Sequence, residues 1–273
     1  MSQYYKQWSS ATPGLLIVLL DQSSSMGEVY CNEQSKAETA SYIVNKLIDH
    51  IICCNFDGLA PRNRCYIYVC GYNQTAQDVC SGWLKDLDAN PLRYETLKKK
   101  TLDGAGGWVE VPMKIPIWVN PVAEGQTDML AAFRSARDLI KEWNDDHTNG
   151  PTPIIVNITD YLPADIEIVD SVTQESILST VDDIKHLSIE DGSPLIYNIC
   201  MNDSTSLTWP IESEVNSIEQ SLCRISSVIP RSNVIAAEKN GITIDDNASC
   251  CLAGGSIEDI FGFLKVALSK IMY

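Results

Sequence analysis

Asp21, Ser23 and Ser25 stand at alternate positions directly after the apolar run Leu15–Leu20, in the segment Asp21-Gln22-Ser23-Ser24-Ser25-Met26-Gly27. A second carboxylate, Asp160, follows the apolar run Ile154–Ile158 and Thr159. A third hydroxyl, Thr127, closes the segment Glu124-Gly125-Gln126-Thr127, just ahead of an apolar stripe that begins at Met129. The set is all oxygen, three hydroxyls and two carboxylates. Hard divalent cations take such ligands, at about 2.0–2.1 Å for Mg²⁺, and keep part of their water. Two carboxylates and three hydroxyls leave the ion electron-poor, so an acidic group from elsewhere can complete its shell. The chemistry expected is therefore the holding of another molecule's Asp or Glu, not an attack on it. Taken singly, each residue is explained equally well as a turn or a helix cap. Their occurrence together, at three strand or helix ends, is what points to a metal.

For these residues to meet, the elements carrying them must converge on one edge. Four apolar runs of strand length, Leu15–Leu20, Tyr66–Cys70, Ile154–Ile158 and Leu195–Cys200, are nearly continuous in apolar character. That is the pattern of strands buried on both faces. Between them lie helical stripes: one from Ala40 to Ile51 with Ser35 and Glu38 placed as a capping box, and one from Met129 to Trp143. A third runs over Ile177, Val181 and Ile184, and a fourth from Ile257 to Ile271 opens at Ser256 after Gly254-Gly255. The alternation predicts an α/β fold, a three-layer, Rossmann-like, mainly parallel sheet with helices on both faces. Ligands of such sheets bind at the carboxyl ends of the strands, where the strand order reverses. The first thirteen residues, ending at Pro13-Gly14, read as a tail, and 14–273 as one domain. Leu92–Pro121 reads as an elaborated connection with a hairpin from Trp108 to Val119, and Asn202–Asn247 is weakly patterned.

Composition narrows the function. Against 20 Lys+Arg stand 36 Asp+Glu, a formal charge of -16. So acidic a surface repels phosphate backbones and anionic lipid heads, which argues against nucleic-acid and membrane-surface roles and favours cations and basic partners. No stretch approaches the roughly 20 apolar residues that cross a bilayer, and Leu15–Leu20 lacks the flanks of a signal peptide, so a cytoplasmic location is expected. The ten cysteines sit in apolar runs without a CxxC pair, which predicts buried thiols rather than disulfides or a zinc site.

The order Asp21-x-Ser23-x-Ser25, then Thr127, then Asp160 resembles the metal-ion-dependent adhesion site (MIDAS) of von Willebrand factor A (VWA) domains, over about residues 14–270. The stretch from Trp118 to Ala123, leading to Thr127 and Met129, is more specifically similar to bacterial intracellular VWA proteins of the tellurite-resistance type. The resemblance implies six strands, one of them an antiparallel edge. It implies that Ser23, Ser25 and Thr127 contact Mg²⁺ or Mn²⁺ while Asp21 and Asp160 act partly through water, and that the open position takes a partner's carboxylate. The partner-facing residues would be Gln22, Ser24, Asp128 and Tyr161. Relatives usually carry Gly, Pro and Gly where Gln126, Asp128 and Tyr161 stand here. Asp128 adds a negative charge and Tyr161 a ring beside the site, and neither removes a ligand.

The function expected is thus a non-enzymatic, metal-dependent protein-interaction module. The resemblance adds a bacterial signalling or stress-response setting, with a kinase, phosphatase or ATPase as partner. The alternatives are a metal-dependent phosphohydrolase with Asp21 as nucleophile, or a scaffold with a vestigial site. The first lacks a second carboxylate at position 23 and a strand-end lysine. No catalytic residue is expected: His50, His147 and His186 sit near helix carboxyl ends, where the dipole favours cations, and no Ser or Cys has a His partner. The run Lys98-Lys99-Lys100 reads as a solvated turn, with local docking as the alternative.

Overall fold

A computed structural model describes residues 4–31, 33–102, 107–160, 171–202, 207–215 and 217–272. The chain begins with β1 (Gly14–Asp21), a 3-10 turn at Ser24–Gly27, a small ladder of β2 (Val29–Cys31) and β3 (Gln34–Ser35), and α1 (Lys36–Cys54). A second ladder, β4 (Phe56–Asp57) with β5 (Ala60–Pro61), precedes β6 (Cys65–Tyr72), β7 (Ala76–Trp83) and α2 (Leu84–Ala89). A ribbon of β8 (Arg93–Leu102) and β9 (Trp108–Ile117) leads to α3 (Met129–Asp146), β10 (Ile154–Thr159), α4 (Ser171–Lys185) and β11 (Leu195–Cys200). The chain ends with β12 (Leu207–Thr208), α5 (Ser217–Arg224), α6 (Arg231–Lys239), β13 (Cys251–Ala253) and α7 (Ile257–Ala267).

The central sheet has seven strands in the order β12-β13-β11-β10-β1-β6-β7. Five are parallel; β7 pairs antiparallel with β6 and β12 with β13. The six strands and single antiparallel edge implied by the resemblance are therefore exceeded, because the short β12 closes the far edge. From β1 the chain steps outward to β6 and β7, then returns to lay β10, β11 and β13 on the other side. The order reverses between β1 and β10, and the crevice of a doubly wound sheet opens there.

Every residue of β1, β10 and β11 is buried. Alternate side chains serve opposite faces. Leu16, Val18 and Leu20 pack with α1, α6 and α7, while Leu15, Ile17 and Leu19 pack with α3, α4 and α5. Caps fix where helices start. Ser35 and Glu38 form the expected capping box on α1, and Ser256 with Asp259 forms one on α7, which ends at Ala267, short of the full stripe. The hairpin is longer than expected and starts at Arg93, not Trp108. Its base is held by Asn45 of α1: the side chain accepts from the backbone N–H of Trp118 (2.8 Å) and Val119 (3.0 Å) and donates to the Val119 carbonyl (2.8 Å). Nor does the N-terminal segment hang free. Trp8 is buried against Gly14, where a Cβ would lie 2.2 Å from the indole. All ten cysteines are free thiols; six are buried, as expected, but Cys53 and Cys54 at the end of α1 are exposed. His147 caps α3 and His186 follows α4, in keeping with their expected positions.

Candidate metal centre

Four of the five predicted residues, Asp21, Ser23, Ser25 and Asp160, come together at the carboxyl ends of β1 and β10. Asp21, the last residue of β1, is buried. One of its carboxylate oxygens accepts from the Ser23 backbone N–H (2.9 Å) and the other from the Thr159 hydroxyl (2.7 Å), the last residue of β10. Burial pushes the Asp21 carboxyl above the usual carboxylate range; bonds from Ser23 and Thr159 oppose the rise and the charge of Asp160 adds to it. Above it the Ser23 and Ser25 hydroxyls are 3.1 Å apart, and the Ser25 hydroxyl donates to Asp160 Oδ1 at 3.0 Å. Because Ser23 is extended and Ser24–Gly27 turns at once into a 3-10 helix, the loop stays tight enough to keep these side chains together.

Thr127 arrives on a third segment that is tied to the first. The Ser24 N–H donates to the Gly125 carbonyl (3.0 Å), the Glu124 N–H to the Gln22 carbonyl (2.8 Å), and the Asp128 N–H to the Asn73 carbonyl (2.6 Å). Gly125 has φ +79°, a left-handed turn that favours glycine and brings the chain round to Thr127. Thr127 is half-buried and sits one residue before the N-cap of α3.

The partner-facing residues fare differently. Ser24 is exposed beside the site. Asp128 is the N-cap, its carboxylate accepting from the Ala131 N–H at 2.9 Å, so that side chain is tied to α3. Gln22 is not on the surface: it is 2% exposed, folded back over β6 into the space left by Gly71, where a Cβ would lie 2.3 Å from the side-chain amide oxygen Oε1 of Gln22. Tyr161 lies outside the described residues.

Two groups that the sequence reading did not assign complete the site. Thr159 orients Asp21. Lys36, the first residue of α1, places its ammonium 2.9 Å from Asp160 Oδ2 and 2.7 Å from Glu28 Oε2. Although burial works to lower it, the bonds to Glu28 and Asp160 hold the Lys36 ammonium above the ordinary lysine value. Beneath, a buried polar chain runs from the Tyr72 hydroxyl to Asn157 (3.0 Å), on to Asn198 (3.0 Å) and to Ser226 (2.8 Å), so the sheet under the site is cross-tied. Thr159 was detectable as the residue preceding Asp160; Lys36 carried no signal, since a lysine opening a helix reads as solvated.

This donor set fits a hard divalent cation. Adjacent ligands of an octahedron with bonds of about 2.1 Å lie about 3.0 Å apart. The Ser23–Ser25 and Ser25–Asp160 oxygen separations, 3.1 and 3.0 Å, match that edge. Among the described residues no cluster of three or more His, Cys, Asp or Glu side chains is placed to hold a metal, so the hydroxyls would have to supply part of the shell.

Similar architecture occurs elsewhere at low sequence identity. The PilB minor pilin of Streptococcus sanguinis matches with a TM-score of 0.52 and 11% identity, over 96% of this chain and 63% of the pilin. The two share a fold. An aerotolerance-related membrane protein of Bacteroides fragilis aligns over 94% of this chain and 98% of its own, at 14% identity and a TM-score of 0.47. No family profile matches the chain, and no curated protein matches its sequence. The likeness is thus one of architecture, a mainly parallel α/β sheet.

Proposed function

We propose that the chain is a VWA-type, metal-dependent interaction module: it binds one Mg²⁺ or Mn²⁺ and through it captures an Asp or Glu side chain of a protein partner. Ser23, Ser25 and Thr127 would contact the ion directly, with Asp21 and Asp160 holding it partly through water. The bound ion would supply an electron-poor position with an affinity for anionic oxygen. One observation carries this function: the Ser25 hydroxyl stands 3.1 Å from the Ser23 hydroxyl and 3.0 Å from Asp160 Oδ1, each the length of an octahedral edge, beside a buried Asp21 at the point where the strand order reverses. Exposed Ser24 would border the captured carboxylate. The tellurite-resistance-like segment Trp118–Ala123 favours a bacterial signalling setting, with a kinase, phosphatase or ATPase as partner.

Water-proton relaxation of the Mn²⁺-loaded protein tests this directly. An aspartate-containing peptide entering the open position displaces water from the ion, so relaxivity falls as the peptide is added, and a lysine-containing control leaves it unchanged. Equal relaxivity with both peptides would contradict carboxylate capture.

A further inference from the structure

Lys36 stands where a cation is least expected. It is the first residue of α1, at the positive end of the helix dipole, which disfavours an ammonium. Its side chain is only 10% exposed and that of Asp160 only 4%. Burying a charge pair of this kind costs more than its attraction returns unless the geometry is good and the remaining donors are satisfied. Here two acceptors satisfy it, Asp160 at 2.9 Å and Glu28 at 2.7 Å. The segment cannot swing away, because the Lys36 N–H also donates to the Glu28 carbonyl at 2.9 Å and the Ser35 capping box fixes the start of the helix. Both oxygens of Asp160 are thereby engaged, Oδ1 by the Ser25 hydroxyl and Oδ2 by the ammonium.

We infer that Lys36 is a resident counter-cation of the metal centre, which competes with the divalent ion for Asp160 and so sets the free-ion concentration at which the site fills. This role rests on the metal reading above and adds its regulation. An incoming ion and the ammonium share one carboxylate in a poorly solvated pocket, where like charges repel more strongly than in water. Glu28 has the complementary part. Its carboxylate, 68% exposed at the rim, keeps Lys36 neutralised when Asp160 turns to the ion. The two residues of one salt bridge therefore act on ion affinity with opposite signs. A bridge serving only to hold the fold would make both losses act alike, through stability.

The test is Mn²⁺ titration followed by electron spin resonance, at fixed pH and ionic strength, on the full chain and on Lys36→Met, Lys36→Gln and Glu28→Gln, each first checked for a cooperative thermal transition. Removing the ammonium lowers Kd for Mn²⁺ by about tenfold or more, and Glu28→Gln raises it severalfold. Lys36→Gln keeps a hydrogen-bonding group at the position and keeps the test open if Lys36→Met does not fold. Unchanged or weaker binding in the folded Lys36 variants, beside a wild type that binds, overturns the role of Lys36 and leaves the metal reading standing. Binding by the Lys36 variants but not by wild type at millimolar ion supports the competition in its strongest form. No binding by any of the four proteins removes the metal reading, and this role with it.

Discussion

Asp21 is a buried carboxylate held by donors from Ser23 and Thr159, none of them an ammonium or guanidinium. A carboxylate in that position is poorly compensated until a cation arrives, and the orientation of its oxygens depends on Thr159. Thr159→Val removes the hydroxyl while keeping the branched shape that suits a strand, so the fold persists and affinity for Mn²⁺ falls by about tenfold, the scale seen when an outer partner of a metal ligand is lost. Calorimetric titration of the variant with Mn²⁺ measures the loss, and an unchanged affinity would separate Asp21 from the ion. At this scale the sequence was readable where residue type and chain position coincide. Asp21, Ser23, Ser25 and Asp160 follow apolar strands directly, and strand ends of an α/β sheet are where ligands go. Gln22 was misplaced because its burial depends on Gly71, 49 positions away along the chain and without a side chain of its own, so the space that receives Gln22 is visible only once β1 and β6 lie side by side.

At the scale of elements, the capping box of α1, the start of α7 at Ser256 and the strands β1, β6, β10 and β11 were legible because their signals are local, a three-residue spacing or a continuous apolar run, whereas the buried β13 is too short, at three residues, to show one. The edges were not. β7 reads Ala-Gln-Asp-Val-Cys-Ser-Gly-Trp, whose mixed character is that of a half-exposed edge strand, and β12 has two residues. Asn45 shows the same limit inside a helix. It lies within an apolar stripe, buried, and its three hydrogen bonds to the backbone of Trp118 and Val119 tie the base of the ribbon to α1. Asn45→Leu leaves two N–H groups and a carbonyl unpaired, each of which costs about 1–3 kcal/mol when it stays buried. A loss of about 3 kcal/mol in unfolding free energy by urea titration is expected, and a loss below 1 kcal/mol would show that the ribbon base is held by something else. Because residues 118–126 run from that base to Thr127, the same variant should also weaken Mn²⁺ binding.

Over the whole molecule, one sheet divides two hydrophobic cores, with α1, α6 and α7 on one side and α3, α4 and α5 on the other. Strands buried on both faces make the site's floor stiff: the Asp21 and Thr159 backbones belong to β1 and β10, and the buried Tyr72–Asn157–Asn198 chain crosses beneath them. The net charge of -16 gives the molecule as a whole a field that attracts cations. A metal that binds only the folded chain also stabilises it by mass action, so the site should be felt in global stability as well as locally. The most direct measurement is Mn²⁺ binding by spin resonance, comparing wild type with a Ser23→Ala, Thr127→Ala double variant whose thermal transition without metal is unchanged. Saturation at one ion per chain in wild type, with affinity at least about tenfold weaker in the double variant, is the predicted result. Equal affinity in the two proteins, or no ion at millimolar Mn²⁺ in either the wild type or the Lys36 variants, would contradict a hydroxyl-lined metal centre in this chain.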